Sequence, residues 1–284
     1  MEENRKTSGL LWRIAFFLFL HTLLSFAASL ASSSGLALLQ FALHLLSYFL
    51  PAALALREGQ RRDLLPLEQS GNLRDALPLF PVLLAAMILL SSLTALLIGL
   101  WGGEATGGGS ERDFLSALGY DCVMPAVLEE SLFRISLLPL LVKADRKNAV
   151  WINALLFALI HPSVYQIPYA FCGGIILALA AHIGGPLAPI LLHFGNNLVS
   201  VLLADGEAWW GLPFSIIALT LIAALALASF IWFVRHRREK RYAPIAAFFA
   251  HRSEGGRAFF GALLSPIGLW CILAFSLTLL STLL

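Results

Sequence analysis

The chain has 284 residues, of which 59% are hydrophobic and 13% charged, and its mean hydropathy is +0.82. A soluble domain carries roughly twice that share of charge, so a water-soluble globular protein is excluded. The formal net charge of +2 gives no footing for a nucleic-acid partner; the expected surroundings are the lipid bilayer. Water cannot satisfy backbone polar groups inside lipid, and the alternation of an outer-membrane barrel is missing, so the apolar runs read as helices. The expected fold is all-α: a polytopic transmembrane helical bundle of about eight to nine spans.

Residues 1–10 are polar, and the first span is predicted at 11–32, retained rather than cleaved as a signal. A Ser33-Ser34-Gly35 break leads to a second span at 36–56. A polar loop, 57–76, holds Arg57, Arg61, Arg62 and Arg74. A third span is predicted at 77–101, followed by a glycine-rich flexible loop at 102–110 and a short surface helix over 111–120. The fourth span, 122–142, ends in a loop with Lys143, Arg146 and Lys147. The fifth runs over 149–161 and is stopped by Pro162; the sixth covers 167–183 and turns at Gly184-Gly185-Pro186. The seventh is predicted at 187–203, a loop with Trp209 and Trp210 at 205–211, and the eighth span at 212–234. A basic run from Arg235 to Arg241 precedes the last span, 259–283. Basic residues follow spans two, four and eight and mark the amino terminus, which the positive-inside rule puts in the cytoplasm. Three domains are expected: amino-terminal spans over 1–110, a catalytic core over 111–211, and carboxyl-terminal spans over 212–284.

The fourth span contains Leu128-Glu129-Glu130-Ser131-Leu132-Phe133-Arg134. Ionised groups at bilayer depth are expensive, so they pair or mark a functional path. Glu130 and Arg134 are four apart and share a helix face, whereas Glu129 is rotated about 100° away. That spacing gives the two acids different jobs: Glu130 is neutralised by Arg134, and Glu129 is left for chemistry. A salt-bridged packing helix without a reaction is the other reading of the same residues.

Three further polar residues sit in apolar helices. His161 closes Phe157-Ala158-Leu159-Ile160-His161; His193 and Asn197, four apart, share a face of the seventh span, with Asn196 directed elsewhere. At about 1.5 Å per residue, Glu129 and His161 lie about 20 and 18 Å from the cytoplasmic end of their spans, and His193 and Asn197 about 10 and 16 Å. Glu with His can bind and deprotonate a water, and His with Asn can donate hydrogen bonds to a developing oxyanion. Those are the needs of peptide hydrolysis without a covalent nucleophile. Taken singly, each His and Asn also reads as helix-packing glue.

No His-Glu-x-x-His helix and no Gly-x-Ser-x-Gly elbow is present. The three cysteines (Cys122, Cys172, Cys271) read as packing residues, and no metal or other cofactor is expected. His21 and His44 read as packing or cavity-lining residues.

Glu-Glu-x-x-x-Arg, then Phe-x-x-x-His, then His-x-x-x-Asn, in this order on successive spans, resembles the CPBP intramembrane proteases. That group includes the Rce1-type CAAX prenyl endopeptidases and the Abi proteins linked to bacteriocin self-immunity. The resemblance covers about residues 121–201 and includes the Gly185-Pro186-Leu187-Ala188-Pro189 approach to the third motif. It implies that Glu129 and His161 activate the attacking water, that His193 and Asn197 form the oxyanion site, and that Glu130 and Arg134 support them. It also implies a metal-independent glutamic mechanism. Ile135, after Arg134, stands where many members have Gly.

The expected function is therefore an intramembrane endopeptidase in the plasma membrane, acting on a peptide precursor or a CAAX-like protein in or at the bilayer. A non-catalytic membrane scaffold or bacteriocin self-immunity protein, and a proton-coupled transporter, are the alternatives.

Overall fold

A computed structural model describes residues 2–100, 113–250 and 265–283. The glycine-rich loop expected over 102–110 and the first residues of the last predicted span lie outside the described residues. Those described are helical, with no strand among them, and the chain is an all-α polytopic membrane protein. Six helices are long and apolar enough to cross a membrane, and two shorter apolar helices, Ala149–Leu159 and Pro266–Leu279, accompany them. The helices fall into two compact units.

The first unit comprises residues 1–68, 128–167 and 248–284. It contains α1 (Glu2–Ser33) and α2 (Ala37–Arg61), packed along each other. The expected break between them is a Schellman turn. Leu36 N–H bonds Ala31 C=O at 2.9 Å, Gly35 N–H bonds Ser32 C=O at 3.0 Å, and Gly35 takes φ +73. Only glycine adopts that conformation without strain. Inside α2, Pro51 has no N–H to give Ser47 C=O. That carbonyl is taken instead by His21 Nδ1 of α1 at 2.9 Å, so a proline in one helix supplies a polar tie to its neighbour. At one end of the pair, buried Glu58 is clamped by Arg13 and Arg62.

The second unit comprises residues 69–127 and 168–247. It contains α3 (Leu73–Ala76), α4 (Leu79–Leu100), α5 (Phe114–Ala117), α9 (Ile167–Gly184) and α10 (Leu187–His236). Asp113 caps α5: Ser116 Oγ and N–H both donate to its carboxylate, at 2.7 and 3.0 Å, and hold that acid below its usual pKa. The tight turn between α9 and α10 has Gly185 at φ +75, where a side chain would also run into Gln69 Oε1. Residues 205–210, expected as a loop, are helical. The helix is interrupted only at Gly211, with φ 68 and ψ −167, two residues before Pro213. Glycine and proline together break the helix where the interface tryptophans had suggested a longer exit.

The span carrying the acids is not one α-helix. The chain passes from α5 through a π-helical segment, Leu118–Val123, into α6 (Met124–Glu130). A second π segment, Ser131–Leu137, then leads into α7 (Leu138–Ala144). Each π segment stands just ahead of a proline, Pro125 and Pro139. A proline withholds the N–H that the carbonyl four residues back would accept, and its ring crowds that carbonyl, so the turn before it widens. Ser136 Oγ donates to Ser131 C=O at 2.6 Å and Leu132 C=O at 2.8 Å, serving backbone acceptors of the widened turn. α8 (Ala149–Leu159) packs on α7 and on α12 (Pro266–Leu283), and its buried Asn153 donates to Phe133 C=O of the second π segment at 2.8 Å.

Candidate active site

The acids sit where α6 gives way to the second π segment. Glu130 and Arg134 are both fully buried, with Arg134 Nη1 3.0 Å from Glu130 Oε1. The guanidinium lies over the Phe157 ring at 4.0 Å and beside Phe133 at 5.9 Å. It is therefore held by a charge on one side and an aromatic face on the other. Phe157 continues the contact: its ring meets the His161 ring edge-on at 5.1 Å. Glu130, Arg134, Phe157 and His161 thus form one chain of contacts within the first unit.

His161 lies just beyond the end of α8. Its N–H bonds Ala158 C=O at 3.3 Å, so the Phe157 carbonyl is left over at the helix end and accepts from His161 Nδ1 at 3.0 Å. A carbonyl can only accept, so Nδ1 carries a proton, and in the neutral ring Nε2 is the acceptor nitrogen. The main-chain carbonyl of His161 receives Thr278 Oγ1 of α12 at 3.4 Å. Phe-x-x-x-His spacing therefore fixes both the place and the tautomer of this imidazole.

Glu129 differs from its neighbour. It is half-buried, its carboxylate forms no ion pair or hydrogen bond among the described residues, and its Oε2 is buried. Arg134 on its own helix and His44 and Tyr48 on α2 lie within its electrostatic reach. A buried carboxylate oxygen with no donor is costly to keep, and such groups in a folded protein call for a functional explanation. This one can hold and deprotonate a water.

The second unit holds the other two predicted residues. His193 and Asn197 lie on α10, His193 buried and Asn197 half-buried. Asn197 Nδ2 donates to Asp121 C=O at 2.9 Å. Pro125 lacks the N–H that would serve Asp121 C=O in an α-helix, so the proline leaves an acceptor for the asparagine. One N–H of the Asn197 amide is thereby committed and the other remains to donate. Asn196, expected to be directed elsewhere, is buried and donates from Nδ2 to Asn197 Oδ1 at 3.2 Å. It orients the Asn197 amide, a role that 100° of helical rotation had concealed. Two residues before Asn197, Gly195 lies against Phe80 of α4, and a Cβ there would fall 2.8 Å from Phe80 Cε2. Gly195→Val should therefore destabilise the second unit by about 1–3 kcal/mol through overpacking, measured as a lower unfolding midpoint in detergent. An unchanged midpoint would mean that Phe80 moves aside freely.

Glu129, Glu130, Arg134 and His161 thus belong to one compact unit, and His193 and Asn197 to the other. Asn153, Asn196, His44, Tyr48 and Thr278 support or surround them; of these only Asn196 and His44 were noticed in the sequence, neither as part of the site.

Residues 111–199 match the family described as Rce1-like, type II CAAX prenyl endopeptidase Rce1-like. No curated protein and no solved structure matches the chain significantly. The matched segment contains all three polar motifs, so through residues 111–199 the chain is similar to the Rce1-like family of CAAX prenyl endopeptidases.

Proposed function

We propose that the protein is a metal-independent intramembrane endopeptidase in which Glu129 is the general base. The observation that carries this reading is the contrast between the two adjacent acids. Glu130 is spent on Arg134, whereas the Glu129 carboxylate forms no ion pair or hydrogen bond among the described residues, although its Oε2 is buried. In the proposed reaction, Glu129 takes a proton from a bound water, and His161 Nε2 accepts a hydrogen bond from that water and orients it. The hydroxide adds to the peptide carbonyl, and His193 and Asn197 donate to the oxyanion. The proton held by Glu129 then passes to the leaving amine as the carbon–nitrogen bond breaks. Glu130 and Arg134 keep the helix and Phe157 in place.

The substrate class is a peptide bond in or at the bilayer, in a CAAX-like protein or a peptide precursor. The basic loops support an amino terminus in the cytoplasm, and the plasma membrane is the proposed location of this multi-pass protein. Residues 111–211 serve as the catalytic core on this reading.

The test is cleavage of a farnesylated CAAX peptide, beside its unprenylated form and an unrelated hydrophobic peptide, by protein reconstituted in liposomes. His161→Ala and His193→Ala should each lower kcat by about 10²-fold or more, and the double variant by far less than the product of the two. Chelators should leave the rate within about twofold of the untreated enzyme, whereas a catalytic metal ion would make removal abolish it. Undiminished cleavage in the histidine variants would end this mechanism, and a Glu129→Gln protein that retains its biological role would favour a scaffold.

A further inference from the structure

Two residues of α2 lie within electrostatic reach of Glu129 and have no part in the reaction as written. α2 packs along Ser131–Leu137 within the first unit, and His44 and Tyr48 lie within electrostatic reach of the Glu129 carboxylate. Their placement is fixed from behind. Pro51 frees Ser47 C=O for His21 Nδ1, and the His21 ring then meets the Tyr48 ring edge-on at 4.6 Å. His44, one turn before Tyr48, also meets that ring edge-on, at 5.5 Å. Tyr48 is 8% exposed, so its ring is packed against both imidazoles with little freedom.

The polar ends of these side chains are not used up by that packing. Neither the Tyr48 hydroxyl nor a His44 ring nitrogen forms a hydrogen bond among the described residues, and Glu129 Oε2 is likewise unpartnered. A phenol and an imidazole within electrostatic reach of a carboxylate, on a helix packed against the turn that follows it and without a direct bond to it, suit water bridges between them. A hydroxyl can donate and an imidazole can do either, so together they can satisfy both lone pairs and protons of such water.

We propose that Tyr48 and His44 are positioning residues for Glu129, holding its carboxylate and the water it activates from the α2 side. This rests on Glu129 being the general base. Tyr48 donates toward the carboxylate–water pair, and His44 fixes the orientation of the water's second hydrogen. Neither touches the substrate, so their removal should change turnover and leave substrate binding alone.

The experiment compares wild type, Tyr48→Phe, His44→Phe, His44→Gln and Glu129→Gln in liposomes with the farnesylated peptide. Tyr48→Phe deletes one hydroxyl and keeps the ring between its imidazoles. It should lower kcat about tenfold with KM within about twofold. His44→Phe should do the same, and His44→Gln, which keeps hydrogen bonding, should recover most of the loss. A readout without substrate accompanies it: the infrared carboxyl band that disappears in Glu129→Gln should shift in Tyr48→Phe. Wild-type kcat in Tyr48→Phe and His44→Phe, or an unmoved band, would overturn the proposal while leaving Glu129 as base. Full activity in Glu129→Gln would instead overturn the protease reading and this inference with it.

Discussion

Glu129→Gln should remove cleavage while leaving the fold at least as stable. A positioned general base contributes about 10²–10⁴-fold, so kcat should fall at least about 10²-fold. KM should change little, because glutamine has nearly the same shape. The stability side follows from the same oxygen. Glu129 Oε2 is buried without a partner, and an ionised group so placed opposes folding. Replacing it by a neutral amide should hold or raise the unfolding midpoint in detergent. Loss of activity together with unchanged or greater stability is the signature of a group kept for chemistry at the expense of the fold. A Gln variant that unfolds more easily would mean that the carboxylate is a structural partner.

Arg134→Met should have the opposite signature. The Glu130–Arg134 pair is fully excluded from solvent, and removing one member strands the other charge in a buried site. Such losses amount to about 3–5 kcal/mol, and the guanidinium's place over Phe157 adds about 0.5–2 kcal/mol more. The single variant should therefore unfold well below the wild-type midpoint or fail to accumulate. Glu130→Gln combined with Arg134→Met removes both charges and should recover most of the stability, since a buried pair is often replaceable by neutral groups of similar volume. Activity should stay low in the double variant, because Phe157 and through it His161 lose their support. The check is a double-mutant cycle on unfolding midpoints with turnover measured in parallel. A loss below about 1 kcal/mol in Arg134→Met would mean that water reaches the pair.

The sequence makes the helical class and most of the helices legible, because apolar runs interrupted by Gly, Pro and basic residues leave few other folds in lipid. The Ser33-Ser34-Gly35 break and the Gly184-Gly185-Pro186 turn are glycine turns in the structure, with Gly35 and Gly185 at positive φ. The pairing of Glu130 with Arg134 follows from spacing alone and is present at 3.0 Å. What spacing could not provide is the shape of the turns around the acids. A π segment and an α turn look alike to a four-residue periodicity; the available signals were Pro125 and Pro139, each directly after a widened stretch. The same prolines explain polar ties that motifs do not encode, such as Asn197 to Asp121 C=O and His21 to Ser47 C=O. Helix α2 shows a different limit. His44 and Tyr48 are far from Glu129 in the chain, and nothing in their local sequence separates them from packing residues. The tryptophan-bearing stretch before Gly211 misled for a simpler reason: interface residues can occupy helical turns as readily as loops.

In the proposed mechanism a water activated by Glu129 attacks the peptide carbonyl directly. Its most direct measurement is a single-turnover cleavage in heavy-oxygen water by reconstituted wild type and Glu129→Gln, with hydroxylamine present. The expected result is one heavy oxygen in the new carboxylate of the wild-type product, no hydroxamate, and no product from Glu129→Gln over the same period. A hydroxamate, which reports an acyl-enzyme, or wild-type turnover by Glu129→Gln would contradict it.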